Sequence, residues 1–197
     1  NIRYATGSRN MAVWTLHNAG RYAFIPTQGP VVLFEFHGCA HLSAGLESID
    51  EIRPAKAWYF YAAGPLVEKR AGQWAAEIAD LVRAHGGGNK RLALDHCDLA
   101  GARALQKLGI EPQEGEAAME FARRIKSADE IALMGVSIAV CETGMAKMRD
   151  ALEPGITENQ LWAKLHETNI AMGGEWIETR LLASGGHTLV LDLAGRA

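Results

Sequence analysis

Hydrophobic and polar positions alternate with a period near two from residue 1 to about 62. The runs Ile2–Ala5, Met11–Leu16, Tyr22–Pro26, Val31–Phe36 and Trp58–Ala62 are rich in β-branched and aromatic residues. Asn18-Ala19-Gly20 and Gln28-Gly29-Pro30 separate some of them as turns. Such spacing predicts short strands joined by tight connections, hence a meander. After Pro65 the period lengthens. Val67, Ala71, Trp74, Ile78, Leu81 and His85 fall three and four apart and predict a helix with one apolar stripe, closed by Gly86-Gly87-Gly88-Asn89. Arg91–His96 reads as a strand, Leu99–Leu108 as a helix and Gly109–Glu114 as an edge strand or loop. Strand–helix alternation behind a meander predicts a mixed α/β domain over residues 1–114.

A different pattern fills residues 115–197. Ser127-Ala128-Asp129-Glu130 and Thr157-Glu158-Asn159-Gln160 are both capping boxes, in which a hydroxyl takes an orphan amide and the acid or amide side chain reaches back. They predict helices from about Ser127 to Leu152 and from Thr157 to about Met172, with Ile156 and Leu161 placed as a hydrophobic staple. Ile131, Met134, Ile138, Cys141, Met145, Met148 and Leu152 form a stripe too long to stand uncovered in a finished domain. Gly173-Gly174 ends the second helix, and a buried strand is expected to follow and reach Ser184-Gly185.

Composition narrows the function classes. Hydrophobic residues make up 48% of the 197 and charged residues 22%, with a net charge of −3, which suits a packed globular protein. No Lys/Arg cluster is interleaved with aromatics, so nucleic acid is not an expected partner. The longest apolar runs read as strand-like pieces, so no membrane span is expected. Cys39, Cys97 and Cys141 are odd in number and lack metal-ligand spacing, which fits a reducing, cytoplasmic setting. The chain opens on Asn1 and already reads as structure at Ile2, so further sequence is expected before it.

Several constellations could carry chemistry. His37-Gly38-Cys39-Ala40-His41 places two imidazoles and a thiol within five residues, yet it follows a strand and lacks an acidic general base. It reads as a polar turn around a buried cysteine. Gly86-Gly87-Gly88-Asn89-Lys90 follows a helix, whereas a phosphate cradle must precede one. His96-Cys97-Asp98 are neighbours in sequence and cannot converge as a triad. Cys141, Met134, Met145 and Met148 read as packing residues. Trp14, grouped with Arg9, Asn10, His17 and Asn18, is either a core tryptophan or a substrate-facing one. Glu178 and Arg180 alternate with Ile177, Thr179 and Leu181, placing both charges on one strand face. Asp192 closes the run Leu189–Leu193 and is a candidate metal ligand, although one carboxylate makes no site. No catalytic residue emerges.

The pieces Asn1-Ile2-Arg3-Tyr4-Ala5-Thr6-Gly7, Ile125-Lys126-Ser127-Ala128-Asp129-Glu130-Ile131 and Pro154-Gly155-Ile156-Thr157-Glu158 resemble the creatinase/aminopeptidase P, or pita-bread, metallopeptidase family. Within it, Asn10 to Trp14 and Gly173 to Gly185 are most similar to the dimethylsulfoniopropionate (DMSP) lyase branch. The segment Phe34 to Arg53 looks more like peptidase-like relatives. The resemblance implies a small creatinase-like domain over 1–114 and the beginning of a pita-bread catalytic domain over 115–197. It also implies a homodimer, a small-molecule or short-peptide substrate, and two divalent metal ions (Fe, Mn, Zn or Co) in the full-length enzyme. By the same resemblance Trp14 contacts substrate. After Gly185 the family's run of metal-ligating aspartates, histidine and glutamates does not follow. A shifted reading frame and an internal deletion that leaves Asp192 as first ligand are both open. Three functions are therefore expected: a part of an Xaa-Pro peptidase-like enzyme, inactive alone; a part of a DMSP lyase releasing dimethyl sulfide and acrylate; or a non-catalytic dimerising remnant. The chain itself is expected to bind no metal.

Overall fold

The computed structural model describes residues 2–9, 20–175, 177 and 181–185. It divides into two compact units, Asn1–Ile125 and Lys126–Ala197. The fold is mixed α/β, as the alternation of periods predicts.

The first unit opens with a short helix, α1 (Ile2–Thr6), where the pattern predicts a strand. Local hydrogen bonding outweighs β propensity here. Thr6 Oγ1 donates to the Ile2 carbonyl at 2.7 Å and Gly7 N to that of Arg3 at 2.8 Å, while Gly7 at φ +69° turns the chain out of the helix. The strand expected over Met11–Leu16 lies outside the described residues.

Strands β1 (Tyr22–Phe24) and β2 (Val32–Glu35) pair antiparallel, as expected. The meander ends there. The third strand, β3 (Glu51–Pro54), lies parallel to β2, which it reaches through a long connection holding a 3-10 turn at Ala40–Leu42. Its sequence Glu-Ile-Arg-Pro is half charged and ends on proline, which an edge strand with one unpaired side tolerates. Trp58–Ala62, expected as a strand, instead leads into helix α2 (Phe60–Ala63). Within Trp58–Ala62 only Trp58 is buried, and Phe60 and Tyr61 face solvent.

Helix α3 (Val67–His85) behaves as its stripe requires: Ala71, Trp74, Ile78 and Leu81 are all buried. They pack with Phe24, Val32, Phe34 and Trp58 into one core that Ala104, Leu105 and Ile110 extend. Trp58 and Trp74 lie 4.3 Å apart between ring centroids, and Tyr22 stacks on Phe34 at 4.6 Å. Such aromatic pairs contribute about 1 kcal/mol beyond the area they bury. Strand β4 (Arg91–Leu94), helix α4 (Leu99–Lys107) and strand β5 (Glu111–Glu114) form a parallel βαβ piece, the strands pairing through Arg91–Glu111 to Leu94–Glu114. A further helix, α5 (Glu116–Ala122), was not anticipated; its phenylalanine, Phe121, is exposed.

The second unit pairs two helices, α6 (Ala128–Asp150) and α7 (Glu158–Ala171). Both capping boxes form in full, with Ser127 Oγ accepting from Glu130 N and Thr157 Oγ1 from Gln160 N, each at 3.2 Å. The stripe on α6 is exposed: Ile131 is 60% accessible, Ile138 55% and Met145 60%. Leu133 and Val136, off that stripe, are equally bare, so the helix is apolar all round rather than along one seam. Cys141, expected in a core, is exposed, and so are Met134 and Met145. By length and composition α6 could also cross a membrane, with a mean hydropathy of 1.4, although Glu142 limits its uncharged run to Ile131–Cys141. A spanning helix needs about 20 apolar residues. Only Gly144 of α6 is buried. Beyond α7, Leu181 is exposed and Leu181–Ser184 are irregular, unlike the buried strand expected there; the rest of that strand lies outside the described residues.

Candidate functional site

A buried charge stands where the sequence pattern calls for an apolar residue. The β2 run Val32-Leu33-Phe34 is fully buried, and Glu35, which completes it, is only 4% accessible. A carboxylate removed from water must be matched by donors. Glu35 has three. Arg21 Nε donates to Oε2 at 2.9 Å, Ser43 Oγ donates to the same oxygen at 3.0 Å, and Phe36 N donates to Oε1 at 2.9 Å. The guanidinium of Arg21 also reaches Ser8 Oγ and, at 3.3 Å, Ser43 Oγ, and the two serine hydroxyls bond each other. Ser8 and Ser43 are both buried. Four chain positions thus close one polar network inside the first unit.

Beside it lies a cleft of about 160 Å³, lined by Glu35 to Gly38, Ala40 and Ile52 to Pro54. The motif His37-Gly38-Cys39-Ala40-His41 runs along this edge, and its groups do not converge. His37 and His41 are exposed while Cys39 is buried, and His41 Nδ1 sits 3.1 Å from the Gly38 carbonyl. Gly38 at φ +78° makes the turn that separates the two rings. The polar-turn reading holds.

The other motifs resolve as structural. Asp98 caps α4, accepting from Gly101 N at 2.7 Å, and the same oxygen takes the Trp58 indole N–H at 2.8 Å. It therefore ties the helix start to the aromatic core, a double duty that nothing in the local pattern announces. Burial pushes the Cys97 thiol up from 9.0 to about 11, the Asp98 carboxylate adds to the rise, and a backbone hydrogen bond from Ala102 opposes it. An activated nucleophile needs the reverse shift. Gly86 to Asn89 close the C-terminal end of α3, with Asn89 Oδ1 accepting from Arg91 N at 3.0 Å, and offer no helix N-terminus to an anion. Burial also raises the Tyr22 phenol far above its ordinary value; its oxygen accepts from Lys56 N at 2.9 Å.

Trp14 and Asp192, the expected substrate-binding and metal-binding residues, both lie outside the described residues, as does the pair Glu178 and Arg180. Among the described residues no three His, Cys, Asp or Glu side chains converge as a metal site would need. A dimetal centre requires several oxygen and nitrogen donors in fixed geometry, and the described residues do not fit one. Glu35 is already saturated by its donors.

Against known proteins, no family model matches the chain. Two curated proteins do, over nearly all of it, and both are named as lyases. One is the dimethylsulfoniopropionate lyase DddP of Roseovarius nubinhibens, 42% identical over 193 residues, covering 95% of this chain and 43% of the relative. The other is the dimethylsulfoniopropionate lyase DddP of Roseobacter denitrificans, 40% identical over 190 residues, covering 94% of this chain and 42% of the relative. The chain is thus a homologue of proteins named DMSP lyase, and it spans less than half the length of these relatives.

Proposed function

We propose that this chain corresponds to the creatinase-like domain and first catalytic-domain helices of a DMSP lyase, an enzyme that cleaves DMSP to dimethyl sulfide and acrylate. Identity above 40% with one relative named as such a lyase, across 95% of the chain, is the observation that carries this reading. It supports the lyase over the Xaa-Pro peptidase, the broader function the family resemblance implies. With it goes the proposal of a homodimer in a cytoplasmic setting.

The roles follow from chemistry. DMSP carries a sulfonium cation and a carboxylate. A tryptophan face attracts a sulfonium through cation–π interaction worth about 0.5–2 kcal/mol, and Trp14 is the residue we assign to that contact. The two divalent ions of the complete enzyme would polarise the carboxylate. The described residues do not fit such a centre, so in this reading they supply scaffold, and the ligands would lie outside them.

Grafting tests this. The 197 residues replace the matching segment of the Roseovarius nubinhibens lyase. The hybrid should release dimethyl sulfide from DMSP and leave a Gly-Pro dipeptide intact; a folded hybrid that hydrolyses Gly-Pro and spares DMSP would reverse the assignment. In the active hybrid Trp14→Ala should raise KM about 2- to 30-fold with little change in kcat, the range set by the cation–π energy. An unchanged KM would remove Trp14 from the site.

A further inference from the structure

Helix α6 carries a second seam besides the stripe through Ile131, Met134, Ile138 and Met145. Asp129, Leu133, Val136, Val140, Thr143 and Lys147 are spaced four, three, four, three and four apart. That interval keeps residues on one face of a helix, where a second helix can mesh with them. Ile138 lies half a turn round from this face. Leu133 and Val136 are 67% and 63% accessible. Helix α7 packs beside the seam, with Leu165 against Gly144, and Val140 and Thr143 are half-buried. The Thr143 hydroxyl donates to the Ala139 carbonyl at 2.7 Å, so it brings no orphan donor to an apolar contact.

The two ends of the seam carry opposite charge. Of the charged side chains in the first and last turns of α6, Glu130 accepts from the Ser127 amide and Arg149 meets Asp150. Asp129 and Lys147 are exposed, and neither has an ion-pair partner among the described residues. They cannot serve each other within one helix. Eighteen residues at a rise of about 1.5 Å hold them roughly 27 Å apart, well beyond a Debye length of about 8 Å.

A second α6 can serve both. Asp129 and Lys147 each stand nine positions from Ile138. An antiparallel copy centred at that level sets Asp129 opposite Lys147 of the other copy, Leu133 opposite Thr143 and Val136 opposite Val140. Two-fold symmetry makes each contact twice. A parallel copy would set Asp129 against Asp129 and Lys147 against Lys147. The antiparallel arrangement also brings an acidic N-terminal turn beside a basic C-terminal turn, where the helix dipoles reinforce the pairing.

We propose that a second copy of this chain docks antiparallel along the seam from Asp129 to Lys147, so that two α6–α7 hairpins form a four-helix association. The inference rests on α6 alone and stands whether or not the chain belongs to a lyase.

Sedimentation equilibrium of the 197-residue chain over micromolar concentrations should follow a monomer–dimer equilibrium. Val136→Glu should abolish pairing. Asp129→Lys and Lys147→Asp should each weaken it about tenfold or more, because like charges then meet twice per dimer. Ile138→Gln, on the opposite face, should leave it unchanged. The double reversal D129K/K147D should restore it, since only an antiparallel copy brings the two positions together. If that variant loses helix content by circular dichroism, an equimolar mixture of the two single reversals carries the same expectation. A monomeric chain, pairing that survives Val136→Glu, or a folded double reversal that stays apart overturns the proposal. A monomer whose Val136→Glu change unfolds the grafted lyase would give the seam to the rest of the longer protein. A monomer that floats with phosphatidylcholine vesicles would give it to a bilayer.

Discussion

Two tryptophans side by side in the core differ in one bond. Trp58 and Trp74 are both buried, at 2% and 4% accessibility, and their rings are tilted against each other. Trp58 gives its indole N–H to Asp98, whereas the Trp74 N–H has no partner among the described residues. Each Trp→Phe change removes similar apolar contact, but only Trp58→Phe breaks a bond to a carboxylate. Trp58→Phe should therefore destabilise the chain more than Trp74→Phe, by about 1–3 kcal/mol, read from urea unfolding midpoints. Equal losses would mean that the indole bond contributes nothing. Cys97 offers a second check. With its thiol at about 11 rather than 9.0, its thiolate fraction at pH 8 is lowered roughly 100-fold, so alkylation should keep accelerating past pH 10 where a free thiol levels off. Cys141, which is exposed, serves as the internal reference.

Elements whose own residues specify them were legible in the sequence. The α3 stripe, the two capping boxes, the β1–β2 pair, strand β4 and helix α4 all follow from local period or local hydrogen bonding. Elements decided by tertiary pairing were not. Strand β3 has charged residues and a proline, and forms because β2 offers an edge. Trp58–Ala62 looks like a strand because its aromatics mimic one, yet Trp58 alone enters the core. Nor was the Glu35 network visible, although a lone carboxylate inside Val31–Phe36 was its available signal. Helix α6 tests the energetic side of this distinction. With Ile138 exposed, Ile138→Gln in this chain should change stability by less than about 0.5 kcal/mol. In the grafted lyase, where we expect further chain to cover α6, the same change should cost about 1–3 kcal/mol. Equal effects in both settings would show that the helix face stays uncovered.

On the scale of the whole molecule, the chain is a well-packed mixed α/β unit followed by a helix pair that leaves its apolar surface bare. Its homologues named as DMSP lyases are more than twice its matched length. Among the described residues, no three His, Cys, Asp or Glu side chains converge on one point. In this proposal scaffold and chemistry are divided: the described residues serve as scaffold, and the ions of the complete enzyme would be held outside them. The most direct measurement is headspace dimethyl sulfide from the purified 197-residue chain given DMSP and excess Fe, Mn, Zn or Co, beside the grafted lyase. The grafted protein should evolve the gas and lose that capacity to a chelator, while the chain alone stays at the buffer blank. Chelator-sensitive release from the chain alone would contradict the account.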